Sequence, residues 1–433
     1  MTTVQDAPGR PVVLGARVLR AERRRATKSQ SRRFPSPSSP PSATPPRQYV
    51  NNSAAETDGT VDPATLRRRD RLALRCVARR VSRLRSSPRD GSEPQFTLRK
   101  CGLVRRSSEN VRLRVVDGTG YAEGVVHCGS IHGCAVCAAK IRGRRSEIYG
   151  ASAGRWLDAG NTLIMVTLTF PHDMGMRLDP LWDLVSDGAG RVTSSVRWRK
   201  LKLELGGEVW YRRAIEQTYG DNGWHPHCHM LIYIRGDGGD GAVVLQKIEA
   251  HFKAEWAKWI TGQGYRLPSN EHGVKVEACH SGGEAGEYIV KTQEGRGVGN
   301  EIVRADLKTG RKNSRTPFEL LRDFSRTGDK SLLVLWWEFE QASKGRRAIT
   351  QSQGLGAVLG ETEVTDQELA DEEAGGIDAA ELPGETWAQV CARELEAQVF
   401  EAAAAGGLAA VNDVLAANGC GLAHAPPLTE RGS

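Results

Sequence analysis

The segment Trp224-His225-Pro226-His227-Cys228-His229, which runs straight into Met230-Leu231-Ile232-Tyr233-Ile234, constrains the fold more than any other part of this chain. The apolar run reads as a buried β-strand, and in a strand residues two apart point to the same face. His227 and His229 therefore face one way and Cys228 the other. Two imidazoles side by side on a rigid strand suit a divalent metal. Asp221-Asn222-Gly223 is a turn signal, which predicts an upstream hairpin partner. That partner is Val209 to Glu216, and the pairing brings Glu216 near the histidines.

Charge decides the class of partner. The 433 residues carry a net charge of +8, unevenly placed. Residues 1–100 hold 22 Lys+Arg against 8 Asp+Glu, whereas residues 356–433 hold 2 against 15. A basic front and an acidic tail point to a polyanion, most often nucleic acid, although both ends also read as solvated flanks. No run approaches the roughly 18 apolar residues of a membrane span. The Arg-rich start lacks the apolar core of a secretory signal, so the expected location is cytoplasmic, with no membrane partner. Nine cysteines, an odd number in a long chain, do not suggest a disulfide framework, and metal binding suits them better.

Residues 1–95 read as a basic, low-complexity and disordered region with one helix, Pro63 to Leu84, suited to phosphate contact. Residues 96–150 form a cysteine cluster. Cys134-x2-Cys137 is a knuckle that can offer two thiolates to zinc, and Cys128 and Cys101 complete a four-cysteine, zinc-ribbon-like site around a hairpin. His127 and His132 are rival ligands. A helix follows from Ala138, and its Lys140, Arg142, Arg144 and Arg145 form a basic face that either meets DNA or is solvated. Asn161 to Phe170 is a central strand ended by Pro171. His172 stands at its end, able to cap a loop or reach a metal. Residues 356–433 are acidic and Ala/Gly-rich, with a helical piece from Glu385 to Ala417 loosely tied to the core.

A second reactive stretch is Ser281 to Lys291. Ser281 with Glu284 makes a helix-start capping box, and Glu284, Tyr288 and Lys291 then fall on one helix face. In the bland reading Glu284 caps, Lys291 pairs with Glu287 and Tyr288 packs. In the chemical reading Tyr288 attacks a DNA phosphodiester, leaving a 5′-phosphotyrosine and a free 3′-hydroxyl. A phenol with a reference pKa of about 10 needs help from a metal and a cation near neutral pH. His227 and His229 would hold the metal, Lys291 would stabilise negative charge, and Glu284 would activate water for a second cleavage.

Three motifs in order, Thr167-Leu168-Thr169, His227-Cys228-His229 and Glu284…Tyr288-x-x-Lys291, resemble those of plasmid replication initiators (Rep) of the single-tyrosine HUH endonuclease superfamily, of the actinobacterial plasmid type. The Cys128/Cys134/Cys137 cluster and Arg315-Thr316-Pro317-Phe318 are similar to that group as well. The resemblance covers residues 96–355, with the nickase domain at 151–355. It implies an α+β fold whose central antiparallel sheet carries the histidines between flanking helices, beside a small zinc module (Zn2+) and disordered flanks. It also implies rolling-circle replication: metal-dependent (Mg2+ or Mn2+) nicking of one strand at the plasmid origin, single-stranded or supercoiled duplex, through a covalent tyrosyl link. No Gly-x4-Gly-Lys-Ser/Thr motif is present, so unwinding and synthesis would fall to a host helicase and polymerase. Cys228 is a small choice for the middle position of the motif. The third metal ligand is Glu216, with His172 and His225 as alternatives. A zinc-ribbon DNA-binding regulator without catalysis, or an HUH transposase or relaxase, are the rival readings, and the oligomeric state is left open.

Overall fold

The structure is a computed structural model that describes residues 63–84, 96–107, 109–236, 241–290, 314–373 and 375–426. Most of the expected disordered N-terminal region lies outside the described residues. Helix α1 (Pro63–Leu84) does not, and it has the bounds the sequence suggests. It is not a free arm, because one face is packed into the fold. Leu74, Val77, Ala78 and Val81 are buried in the main core and Leu72 in a second one. Arg75 and Arg79 are buried too, both paired with Glu396.

After the short helix α2 (Phe96–Lys100) come β1 (Val111–Val116) and β2 (Thr119–Glu123), an antiparallel hairpin turned by Asp117 and Gly118. Both turn residues have positive φ, which makes the tight reversal possible. Helix α3 (Ala135–Asp158) follows, with Cys134 at its N-cap. It leads into β3 (Thr162–Leu168), whose β-branched run is buried as expected. Helices α4 (Leu178–Val192) and α5 (Val196–Glu204) come next, separated by the cap at Ser195.

The hairpin β4 (Val209–Gly220) and β5 (Gly223–Ile234) forms in the expected register, with Glu216 opposite His227. Gly223 takes φ 82° in its tight turn, a region open to glycine. Beyond α6 (Gly241–Gly262), β6 (Val274–Ala278), α7 (Gly282–Val290), α8 (Pro317–Thr327) and α9 (Lys330–Ser343), strand β7 (Ile349–Gln351) completes a sheet. Its order is β6-β3-β5-β4-β7, antiparallel throughout. At the start of α8, Thr316 caps the helix reciprocally with Glu319 ahead of Pro317, as the sequence predicts.

Strand periodicity gives this sheet two unlike faces. Cys228, Met230 and Ile232, with Ile164, Val166 and Leu168, join the main core beneath α4, α6 and α9. Leu231, Tyr233, Leu163 and Ala214 point the other way, under Tyr149, Ala153 and Trp156 of α3 and Ala285 and Ile289 of α7. The result is the α+β architecture expected from the sequence.

The acidic C-terminal residues are tied in more firmly than their composition suggests. After α10 (Leu355–Leu359) and α11 (Asp366–Asp371), strand β8 (Ile377–Leu382) pairs with β1, giving a second sheet of order β2-β1-β8. Helices α12 (Gly384–Ala392) and α13 (Glu396–Ala417) cover it, with Trp387, Val399, Phe400 and Leu415 packed on Val111 and Leu113. By length and composition alone α13 is apolar enough to cross a membrane. Its backbone is non-helical at Gly406 and Gly407, and its Val399 and Phe400 are buried in this second core.

Candidate metal centre and nucleophile helix

His227, His229 and Glu216 converge as the hairpin register dictates. Glu216 Oε2 lies 3.1 Å from His227 Nε2 and 3.1 Å from His229 Nε2. The three ligand atoms fall within 4.8 Å of one another, so the group can hold a metal ion. The other ring nitrogens fix the chemistry. His227 Nδ1 stands 3.3 Å from the His225 carbonyl, which can only accept, so Nδ1 carries the proton. In a neutral ring Nε2 is then a bare lone pair facing a carboxylate oxygen. That contact is favourable only with a cation, proton or metal, between them. His229 Nδ1 meets Thr167 Oγ1 at 3.2 Å, which orients the second ring across the β3–β5 register. Burial pushes the Glu216 carboxyl up, but the two imidazoles outweigh it and hold the group well below the usual carboxylate range. The side chains are 12–16% exposed, so the centre is walled but open on one side.

The two alternative third ligands fall outside this three-residue group, although the His225 ring stacks on that of His227 at 5.2 Å. His172 Nδ1 donates to the Asn222 carbonyl at 2.9 Å, leaving its Nε2 to accept from His225 Nδ1 at 2.7 Å. His172 and His225 therefore pair with each other and tie the end of β3 to the hairpin turn. Their meeting had no local sequence signal, since the two residues are far apart in the chain.

The helix that carries Tyr288 lies on the same face of the sheet as the metal trio. By strand periodicity His227 and His229 share a face with Leu231 and Tyr233, and those two pack with Ala285 and Ile289 of α7. Helix α7 is pressed closely on α3. A Cβ at Gly282 would come 2.2 Å from the Gly150 carbonyl oxygen, and one at Gly286 would come 2.6 Å from that of Ser146. Glu284 serves as a cap: its Oε2 accepts from His280 N at 3.0 Å, and its own N–H donates to Ser281 Oγ at 3.1 Å. Lys291 lies outside the described residues.

The four cysteines form a second centre. Cys101 Sγ is 3.7 Å from Cys134 Sγ and 3.6 Å from Cys137 Sγ, and Cys128 Sγ is 3.7 Å from Cys137 Sγ. Zn–S bonds of about 2.3 Å in a tetrahedron put sulfurs about 3.8 Å apart, so the spacing suits zinc. All four are buried and none is in a disulfide. Arg75 lies beside Cys101 and Cys134. Burial and the neighbouring Arg79 lower its pKa, Cys101, Glu396 and Cys134 raise it more, and the net shift is upward. Of the rival ligands, His127 hydrogen-bonds Cys101 and Cys137 from outside the four-sulfur group. His132 packs edge-on against Trp182 and Phe339, at centroid distances of 5.6 and 6.0 Å.

Two curated proteins are similar to this chain. One is "Protein rep" of Streptomyces lividans, 30% identical over 351 residues, which span 66% of this chain and 77% of the relative. The chain belongs to the Rep protein family. The other, a "Neomycin resistance protein" of Streptomyces cyanogenus, is 29% identical over 147 residues, 28% of this chain and 34% of that protein. No family model matches the Rep chain, and no solved structure matches it.

The basic face expected on α3 of this Rep chain is occupied by the protein itself. Arg144 grips Glu372 with two bonds of 2.9 and 3.0 Å, and Arg145 reaches Asp366 at 2.6 Å. Lys140 donates to the carbonyls of Ala370 and Glu372. Arg142 is buried and donates to the Ile131 carbonyl at 3.1 Å. Sequence periodicity cannot reveal such neutralisation, because the acidic partners lie more than 220 residues downstream.

Proposed function

We propose that the chain is a rolling-circle replication initiator that nicks one strand at a plasmid origin, with Tyr288 as nucleophile. The observation that carries this reading is the placement of α7 on the sheet face that also holds His227, His229 and Glu216. Family membership supports a replication role, and the three motifs supply the chemistry. A divalent ion (Mg2+ or Mn2+) bound by this trio would polarise the scissile phosphate and stabilise the charge that develops on it. The Tyr288 phenolate oxygen bonds to phosphorus while the P–O3′ bond breaks. The 3′-oxygen leaves, takes up a proton and becomes a free 3′-hydroxyl that a polymerase can extend. The high-energy bond is kept as a 5′-phosphotyrosine, so the strand can later be rejoined or released. Lys291 would offset charge near the phenolate. Glu284 would activate water for the second cleavage, which requires its carboxylate to leave the cap on His280 N. The nickase chemistry is placed in residues 151–355 and structural zinc in the module of residues 96–150.

The test is covalent capture. Full-length protein with Mn2+ is mixed with single-stranded fragments tiling the origin region, and the denatured products are separated and mapped. A protein–DNA adduct on Tyr288 is expected, absent in Tyr288→Phe. An adduct that persists in Tyr288→Phe, or that maps to Tyr265, would overturn the assignment. Specific binding with no adduct would favour the non-catalytic regulator.

A further inference from the structure

The cations of α3 are spent on partners within the protein, whereas three of the four on α5 are not. Helix α5, Val-Arg-Trp-Arg-Lys-Leu-Lys-Leu-Glu, buries only Trp198 and Leu201. Trp198 anchors it on α6, with ring centroids 5.2 Å from His251 and 5.7 Å from Phe252. The rest of the helix carries four cations, Arg197, Arg199, Lys200 and Lys202, beside the exposed Val196, Leu203 and Glu204. Arg197 makes a long, 3.5 Å pair with Glu255, and the nearby Glu204 is taken by Lys247 at 3.4 Å. Arg199, Lys200 and Lys202 make no ion pair with any described residue, and the first two are exposed.

This surface is remote from the metal trio. Helix α6 packs in the core with Cys228, Met230 and Ile232, on the opposite side of the sheet from His227 and His229. A nine-residue helix is about 13 Å long, enough to follow several successive phosphates of one strand. We propose that α5 is a separate DNA-contact surface, on which Arg199, Lys200 and Lys202 grip the phosphate backbone of duplex flanking the nick, without reading sequence. The proposal rests on the origin-nicking reading for its partner. An anionic membrane suits the helix less well. Its two inward apolar residues are committed to the core, and the outward Val196 and Leu203 are separated by Arg199 and Lys200, so no continuous apolar face is left for lipid.

The experiment measures affinity for a random-sequence duplex of about 40 base pairs across a salt series, using the full chain and Arg199→Gln/Lys200→Gln/Lys202→Gln. Each lost phosphate contact lowers the slope of log K against log salt by about 0.9, so a reduction approaching 2.7 is expected. At fixed low salt the affinity falls on the order of 10- to 100-fold. The matched α3 variant Lys140→Gln/Arg144→Gln keeps the wild-type slope. Mn2+ affinity and thermal melting of the α5 variant match wild type. If the triple variant melts early, single Lys200→Gln carries the test, with a slope reduction of about 0.9. An unchanged slope, an equal effect of the α3 variant, or lost binding to phosphatidylserine vesicles with duplex binding intact would overturn the proposal. Adduct formation on a short single strand is scored in parallel. Its absence in wild type beside a reduced duplex slope refutes the nicking reading alone, and its presence beside an unchanged slope refutes the α5 surface alone.

Discussion

At the scale of single residues, the candidate metal centre is built from groups whose second atoms are already committed. His227 Nδ1 is held by a carbonyl and His229 Nδ1 by the Thr167 hydroxyl, so both Nε2 atoms turn toward Glu216. Such outer partners fix tautomer and ring orientation, and their loss typically costs 10- to 100-fold in metal affinity. Thr167→Val keeps the shape and removes the hydroxyl. It is expected to weaken Mn2+ binding by roughly 10-fold or more, as read by calorimetry, with the melting temperature little changed. An unaltered affinity would mean that the β3 hydroxyl does not orient His229.

Among elements, the contact that matters most is the crossing of α3 and α7. Glycines at 150, 282 and 286 let two helix backbones touch, and this sets the height of α7 above the histidine face. The neighbours that added methyl groups would meet are backbone atoms, which cannot rotate aside. Gly286→Ala is therefore expected to cost about 1–3 kcal/mol through overpacking and to slow adduct formation by displacing α7. Gly154→Ala, on the same helix pair, meets Gly282 Cα at an ordinary 3.9 Å. It is expected to be neutral or slightly stabilising in a denaturant titration, by up to about 1 kcal/mol. Equal effects of the two substitutions would refute the close-packing account.

Over the whole molecule, the two ends of the described chain are locked together around the cysteine centre. Arg75 and Arg79 of α1 both reach Glu396 at the start of α13, at 3.4 and 2.8 Å, and all three are buried. Arg75 also flanks Cys101 and Cys134. Removing one partner of a buried ion pair leaves the others charged and uncompensated, at about 3–5 kcal/mol. Glu396→Ala is expected to lower unfolding free energy by that amount in urea, and Glu396→Gln by less. A change below about 1 kcal/mol would show that solvent reaches the cluster after all.

Much of the candidate metal site was legible from sequence. The Asp-Asn-Gly turn and period-2 alternation suffice to place Glu216 opposite His227, because hairpin register is a local property. Cys101, Cys128, Cys134 and Cys137 were legible from residue type, since few other roles suit such spacing. The α1 bounds followed from helical pattern, but not its burial, because eight arginines hide an apolar stripe that packs in the main core, and the buried Arg75 and Arg79 find their partner Glu396 more than 300 residues downstream. Strand β8, Ile-Asp-Ala-Ala-Glu-Leu, has little intrinsic strand preference and exists because β1 offers it an edge. The fate of Lys140, Arg144 and Arg145 likewise depends on Asp366 and Glu372, which only the tertiary fold brings near. Local pattern determined the metal-binding strand and its hairpin. Long-range packing decided which basic surface stays free, which side of the sheet holds α7, and how the two ends of the described chain close around the cysteines.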